Sequence, residues 1–434
     1  MTIPFSKFER VIQKAQLVRL SGRVTQVVGL IVEATGPQMS VGEVCRIFAG
    51  ERALPCEVVG FRRGAVLLMP LLQIEGIRQG SEVIPLGRPL TVPVGEALLG
   101  RLLDGLGDPI DDKGPLPQGL ERISIYRDPP SPFSRKRITQ MLGTGVKVID
   151  SLLTLGRGQR IGIFSGSGVG KSTLMGMISR SSQADVNVIG LIGERGREVR
   201  EFVEKDLGPE GLKRSVVVVA TSDRPALVRI KAAYAATAIA EYFRDQGKTV
   251  MLMMDSVTRF ALAQREVGLA VGEPPTTRGY TPSVFSLLPK LLERAGTSNK
   301  GTITAIYTVL VEGGDMDEPV ADAVRGILDG HFVLSRELAQ QNIYPSIDIL
   351  QSISRVMNDI CAKRHIDIAN KIRDLYATYQ QAADLINIGA YKPGANPKID
   401  EAVQKMPKIT EFIKQGIKEG YPLENSIKAI EGLV

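Results

Sequence analysis

At 434 residues the chain is longer than one compact core accommodates and suits two or three domains, and its 43% apolar and 23% charged residues are ordinary for a globular protein. The net charge of +7 comes from bases scattered among acids, which reads as a solvated surface and weighs against a nucleic-acid binder. Cys45, Cys56 and Cys361 are odd in number and form no CxxC pair, so neither a disulfide framework nor a structural zinc is expected, and the chain reads as reduced and cytosolic.

The opening MTIPFSKFERVIQKAQ carries charge where a signal peptide needs a continuous apolar stretch. Residues 1–18 read as a helical segment, because Ser6 and Glu9 form a capping-box pattern and Phe5, Phe8, Ile12 and Ala15 follow a helical stripe. Over residues 19–90 short β runs such as RVTQVVGLIVEA and LPCEVVGFRRGAVLLMPL, separated by Gly and Pro turns, predict a small closed β-barrel. The Gly-, Pro- and Asp-rich TVPVGEALLGRLLDGLGDPIDDKGPLP follows as a connector with a little helix inside it.

From about Gly143 apolar runs alternate with helical stretches: QRIGIFSG, VNVIGLIGE, SVVVVATS, TVMLMMDS, GTITAIYTVL and HFVLS. That order predicts an α/β fold, a mostly parallel sheet covered on both faces, and the central domain with its connector is taken as residues 91–357. One of its helices is bounded by Asp223 as cap, Pro225 in the first turn and Gly247 as the stop. Beyond Asn358 strands disappear, and residues 358–434 read as a helical domain broken by YKPGANP. The longest apolar runs fall far short of a membrane span.

FSGSGVGKST, between an apolar strand and an amphipathic helix, is the most informative stretch. Gly166, Gly168 and Gly170 allow successive backbone N–H groups to turn inward around phosphate oxygens, and the helix that follows adds its positive end. Gly166, Ser167, Gly168, Val169 and Gly170, then Lys171, Ser172 and Thr173, are therefore assigned to a nucleoside triphosphate, with the Lys171 ammonium on the outer phosphates and the Ser172 hydroxyl on Mg²⁺. The general GxxxxGK[ST] pattern starts with Gly, and here Ser165 takes that place.

A metal beside such a loop wants a carboxylate at the end of a buried strand, and VMLMMD supplies Asp255, whose alternative is to cap the next helix. Many ATPases place a catalytic glutamate after that acid, but this chain has Ser256. Glu194, just past the strand VNVIGLIG, is the candidate for orienting the attacking water, ahead of Glu198 and Glu201, which suit the helix REVREFVEK. Arg195 is a candidate for phosphate oxygens, with a surface ion pair as the alternative.

With GERGREV, DSVTRFALAQREVGLAVGEPP, GYTPSVFSLLPKLLERAG, ILDGHFVLSRELA and YPSIDILQSISRVMNDI, the chain resembles the type III protein-export ATPases over nearly its whole length, and these are similar in turn to the catalytic subunits of rotary ATP synthases. ALAQREVGLAVGEPP and RVMNDI resemble the flagellar branch more than the virulence-injectisome branch. The resemblance implies a barrel, a RecA-like ATPase domain and a helical domain, with ATP and Mg²⁺ at the loop. It implies roles for Lys171, Ser172, Glu194, Arg195 and Asp255 as above, an adenine-stacking role for Tyr344 in IYPSID, and an arginine finger at Arg355 in SISR contributed across a subunit boundary. A homohexamer follows, located in the cytoplasm and peripheral at the inner face of the membrane. Its implied partners are a stator-like regulator, a coiled-coil stalk protein, export chaperone–cargo complexes and a membrane export gate.

The alternatives are an injectisome ATPase and a rotary-synthase catalytic subunit. A ring translocase on single-stranded RNA fits less well, since it wants an aromatic basic platform and the barrel segment offers only Phe48 and Phe61.

Overall fold

The computed structural model describes residues 20–433, so the helical reading of residues 1–18 lies outside the described part. The chain divides into two compact units, one ending at Leu90 and the other beginning at Thr91.

The first unit is a closed barrel of six antiparallel strands: β1 (Gly22–Val28), β2 (Ile31–Thr35), β3 (Glu43–Ala49), β4 (Arg52–Arg62), β5 (Ala65–Pro70) and β6 (Glu82–Pro89), in the order β1-β2-β5-β4-β3-β6. Closure leaves no free sheet edge. Val24, Val32, Ala34, Ile47, Val58, Leu68 and Val83 fill the interior, and Cys45 lies opposite Cys56 in the β3–β4 register, both reduced and buried.

The second unit is built on a mostly parallel sheet. Its main strands are β7 (Leu102–Asp104), β8 (Arg160–Ser165), β9 (Val186–Ile192), β10 (Ser215–Ala220), β11 (Thr249–Asp255), β12 (Thr302–Leu310), β13 (Gly330–Leu334) and β14 (Ile347–Ser354), in the order β14-β13-β8-β12-β11-β9-β10-β7. Only β14 runs antiparallel along this path. Every residue of β9 and β10 is buried, as expected of strands covered on both faces. The two edge strands were not read from the sequence. β7 is three residues long inside the connector, and β14 buries Ser352 and Ser354 while exposing Ile353, so its polarity does not follow its burial.

The helices that matter below are α1 (Lys147–Leu152), α2 (Lys171–Ser181), α3 (Gly196–Glu201), α4 (Ala226–Asp245), α5 (Val257–Val271), α6 (Pro282–Leu292) and α7 (Pro319–Ile327). α4 corrects one expectation: Pro225 itself occupies the N-cap position and no side chain caps the helix, while the Asp223 carboxylate bonds the Thr221 side chain instead. Gly247 does follow the end of α4, at φ +83° and with its N–H on the Arg244 carbonyl. Helices α8 (Lys363–Asn387), α9 (Pro397–Ile413) and α10 (Leu423–Glu431) form the tail. Ile372, Leu375, Ile409, Phe412 and Ile430 of this tail share one hydrophobic core with Met175 and Ile178 of α2. Among the described residues no helix is long and apolar enough to cross a membrane.

Two helical glycines test this packing. A Cβ at Gly176 of α2 would lie 2.6 Å from the Asp206 carbonyl oxygen, whereas one at Gly326 of α7 would meet nothing within 4 Å. Gly176→Ala is therefore expected to destabilise the second unit by about 1–3 kcal/mol through overpacking. Gly326→Ala should be neutral or stabilising by up to about 1 kcal/mol through helix propensity. Urea unfolding of the two variants checks the contrast.

Candidate active site

Strand β8 ends at Ser165, which still pairs with Leu310 of β12 and Leu334 of β13. Ser165 thus belongs to the extended strand, where a side chain is accommodated, and the turn of the loop starts only at Gly166; the departure from the Gly-first pattern has this local cause. Gly168 and Gly170 take φ of +78° and +91°, in the left-handed region that favours glycine. Gly170 is the N-cap of α2, whose first residues, Lys171, Ser172 and Thr173, line a cleft of about 650 Å³ together with Gly166, Ser167 and Gly168. The Val169 side chain is instead buried, so this residue brings no side chain to the cleft, and its carbonyl accepts a 2.7 Å hydrogen bond from Ser346 Oγ.

Behind the loop stand two acids. Asp255 ends β11 and is 3% exposed; its Oδ1 accepts a 2.7 Å hydrogen bond from Thr308 Oγ1 and a second from Lys171 Nζ. The capping alternative for Asp255 is taken by its neighbour: Ser256 Oγ accepts the Arg259 N–H at 3.2 Å and caps α5. Glu194 follows β9 by two residues and approaches Lys171 Nζ to 3.7 Å through an Oε1 that is buried and has no hydrogen-bond partner.

One ammonium against two carboxylates decides the protonation. Burial works to lower the Lys171 pKa, but the fields of Asp255 and Glu194 outweigh it, and the group ends above the ordinary lysine value. For Glu194 burial and then repulsion from Asp255 push the pKa up to about 7, with Lys171 pulling the other way. Glu198, bonded to the Glu194 side chain, is correspondingly lowered. Glu194 is thus a carboxyl group poised near neutrality, at the C-terminal end of a central strand.

The remaining candidates divide. Arg195 is 82% exposed at the rim, 4.0 Å from Glu198 Oε1. Tyr344 lies beside the loop: two of its ring carbons would be 3.4 Å from a Cβ placed on Gly170, and the ring edge is partly open to solvent. Arg355 is not brought to the cleft. Its N–H donates to the Asp329 carbonyl at 3.1 Å, and the Asp329 N–H donates to the Arg160 carbonyl at 2.9 Å, so Arg355 stands level with the first residue of β8. Five strand residues then separate it from Ser165, roughly 16 Å along the sheet.

Sequence reasoning missed two cations. Arg259 and Arg336 both line the cleft; Arg259 Nε is buried without a partner, and an Arg336 nitrogen would lie 3.4 Å from a Cβ on Gly166. Each follows an apolar strand closely, Arg259 four residues after Asp255 and Arg336 two residues after Leu334, and that spacing was the available signal.

The residues also suit a metal that asks little of the protein. Among the described residues no group of three or more His, Cys, Asp or Glu side chains could hold an ion. A hydroxyl at Ser172 and a carboxylate at Asp255 match Mg²⁺, which keeps several waters and takes phosphate oxygens, better than a cation needing a full protein cage.

The nucleotide-binding domain of the ATP synthase alpha/beta family matches residues 145–354, the β-barrel domain of that family matches 24–87, and the T3SS EscN ATPase C-terminal domain matches 361–432. The flagellum-specific ATP synthase of Bacillus subtilis is 59% identical over 95% of this chain and 94% of its own length. The type 3 secretion system ATPase of Xanthomonas euvesicatoria is 51% identical over 97% and 96%. Among solved structures, the assembled ATPase EscN from the enteropathogenic E. coli type III secretion system superimposes with a TM-score of 0.90 at 48% identity, covering 95% of this chain and 99% of that one. EscN in complex with its central stalk EscO superimposes with a TM-score of 0.89. Similarity of this depth over the barrel, the phosphate-loop sheet and the helical tail places the chain in the ATP synthase alpha/beta family, as a member of its flagellar and type III secretion ATPase branch.

Proposed function

We propose that this chain hydrolyses ATP as one subunit of a homohexameric ring that assists type III protein export, with the flagellar apparatus as its setting. The observation that carries the shared-site reading is the separation of Arg355 from the phosphate loop of its own chain, by the length of β8. A second copy supplying Arg355 completes the proposed site, adding to the Lys171, Arg259 and Arg336 that each copy already brings to its own cleft.

In the proposed site the loop N–H groups and Lys171 hold the triphosphate, and binding draws Lys171 from its carboxylate partners toward phosphate oxygens. Ser172, and Asp255 through the water shell, would hold Mg²⁺, which when bound would supply charge neutralisation on the phosphates. Glu194, as carboxylate, accepts a hydrogen bond from the water that attacks the terminal phosphorus. Arg195 contacts phosphate oxygens from the rim, and Tyr344 stacks on adenine, which needs an aromatic face rather than edge readout. Arg355 of the adjoining copy neutralises charge on the transferred group.

The flagellar setting rests on relatives: flagellum-specific ATP synthases reach 59% and 52% identity, against 51% for a type 3 secretion ATPase. The injectisome reading stays beside it because of EscN at 48%. A cytoplasmic ring, peripheral at the membrane, with a stalk protein in its centre and a stator-like regulator, chaperone–cargo complexes and the export gate as further partners, completes the proposal. The central stalk EscO bound to EscN supports the stalk assignment.

Three outcomes are expected. With Glu194 raised to about 7, the active carboxylate is lost by protonation as pH falls, so turnover should decline below about pH 7. Glu194→Gln should retain ATP binding, lose about 100-fold or more of turnover, and show no such acid limb in a pH–rate profile. Arg355→Ala should bind a nonhydrolysable ATP analogue as tightly as the parent chain while turnover falls about a thousand-fold or more. Equal loss of binding and turnover would instead assign Arg355 a structural role.

A further inference from the structure

The turn between α9 and α10 contains Gln415, a long polar side chain that is 7% exposed. A buried amide must have its donors and acceptor met, and here they are met by the segment just ahead of the phosphate-loop sheet. Gln415 Oε1 accepts the Lys147 N–H at 2.8 Å, and Nε2 donates to the Gly145 carbonyl at 2.8 Å and to the Glu419 carbonyl at 2.9 Å. Lys147 opens α1, so its N–H has no acceptor within that helix. Gly145, at φ +79°, is pressed so closely on α2 that a Cβ there would lie 2.2 Å from Ser181 Cβ.

The main chain of the same residue points elsewhere: the Gln415 N–H donates to the Tyr344 carbonyl at 2.9 Å. Two residues beyond Tyr344, Ser346 Oγ holds the Val169 carbonyl of the phosphate loop. A chain of hydrogen bonds therefore runs from Gly145 and Lys147 through Gln415 and Tyr344 to the loop. The turn has further ties, from Lys147 Nζ to the Lys414 carbonyl at 2.9 Å and from the Tyr421 N–H to the Gly145 carbonyl at 3.1 Å.

We propose that Gln415 is a positioning residue for the nucleotide base: its side chain anchors the turn whose main chain holds Tyr344 beside the phosphate loop, so the C-terminal helices set the affinity for the base. The inference rests on the stacking reading of Tyr344. It means that losing the Gln415 tie weakens the hold on the base while the phosphate loop stays intact.

The chain contains no tryptophan, so Tyr344→Trp introduces a single emitter at the position in question. With Mg²⁺ and adenylyl imidodiphosphate its emission should change saturably, and with inorganic tripolyphosphate, which has no base, it should not. Adding Gln415→Ala should raise the midpoint for the analogue about ten-fold. The tripolyphosphate concentration needed to raise the melting temperature should stay within about two-fold, because the phosphate loop itself is untouched.

Gln415→Met, which keeps the length of the side chain but none of its hydrogen bonds to Lys147, Gly145 and Glu419, should raise the analogue midpoint in the same direction, and it carries the test alone if the alanine variant does not fold. An unchanged midpoint, or equal weakening of analogue and tripolyphosphate, overturns the positioning role by itself. No emission change in the Tyr344→Trp chain with Gln415 intact overturns the stacking reading and this inference with it.

Discussion

Strand direction governs where the chemistry of this chain can lie. β8 runs parallel to its neighbours and delivers the loop Gly166–Gly170 at its C-terminal edge, whereas β14 is antiparallel: it begins at Ile347, three residues after Tyr344, and ends at Ser354, one residue before Arg355, at the opposite edge. The two residues flanking this one strand thus stand at opposite ends of the same sheet: Tyr344 beside the loop of its own chain, and Arg355 exposed at the far edge, the side proposed to meet a second copy.

Within one copy Lys171 stands between two carboxylates at the foot of a cleft that Arg259 and Arg336 also line. Lys171 satisfies Asp255 directly and Glu194 at 3.7 Å; burial first, and then the field of Asp255, make Glu194 hold its proton more tightly than a free carboxylic acid. Such an arrangement responds to a triphosphate in a definite direction. Phosphate oxygens would compete with the carboxylates for Lys171, and Asp255, with the Ser172 hydroxyl, would then be available to hold Mg²⁺ through its water shell. In the proposed site the attacking water would supply the partner that Glu194 Oε1, buried and unbonded, otherwise lacks.

Much of this was legible in the sequence because it is local. The glycine spacing, the apolar strand before it and the amphipathic helix after it define the loop from ten consecutive residues, and Asp255 and Glu194 were found because each follows an unbroken apolar run. Ser165 looked like a defect of the motif and turned out to be the last residue of β8. Reading failed where the determining contact is distant. Gln415 reaches Lys147 across 268 residues, and nothing in KQGIKEG marks it. The three-residue strand β7 has no periodicity to detect, and the N-cap position of α4 falls to Pro225, which brings no capping side chain, while Asp223 bonds Thr221. Arg259 was visible four residues past Asp255 but carried no motif of its own.

The claim that the site is shared between like copies is tested most directly by mixing two inactive chains. Glu194→Gln removes the water-orienting group from its own cleft but still offers Arg355 to a neighbour, and Arg355→Ala does the reverse. In randomly mixed rings about a quarter of the boundaries would pair an intact Glu194 with an intact Arg355, so an equal mixture should recover about a quarter of the parent turnover. Turnover no higher than the average of the two separate variants, in rings shown to contain both, would contradict the account.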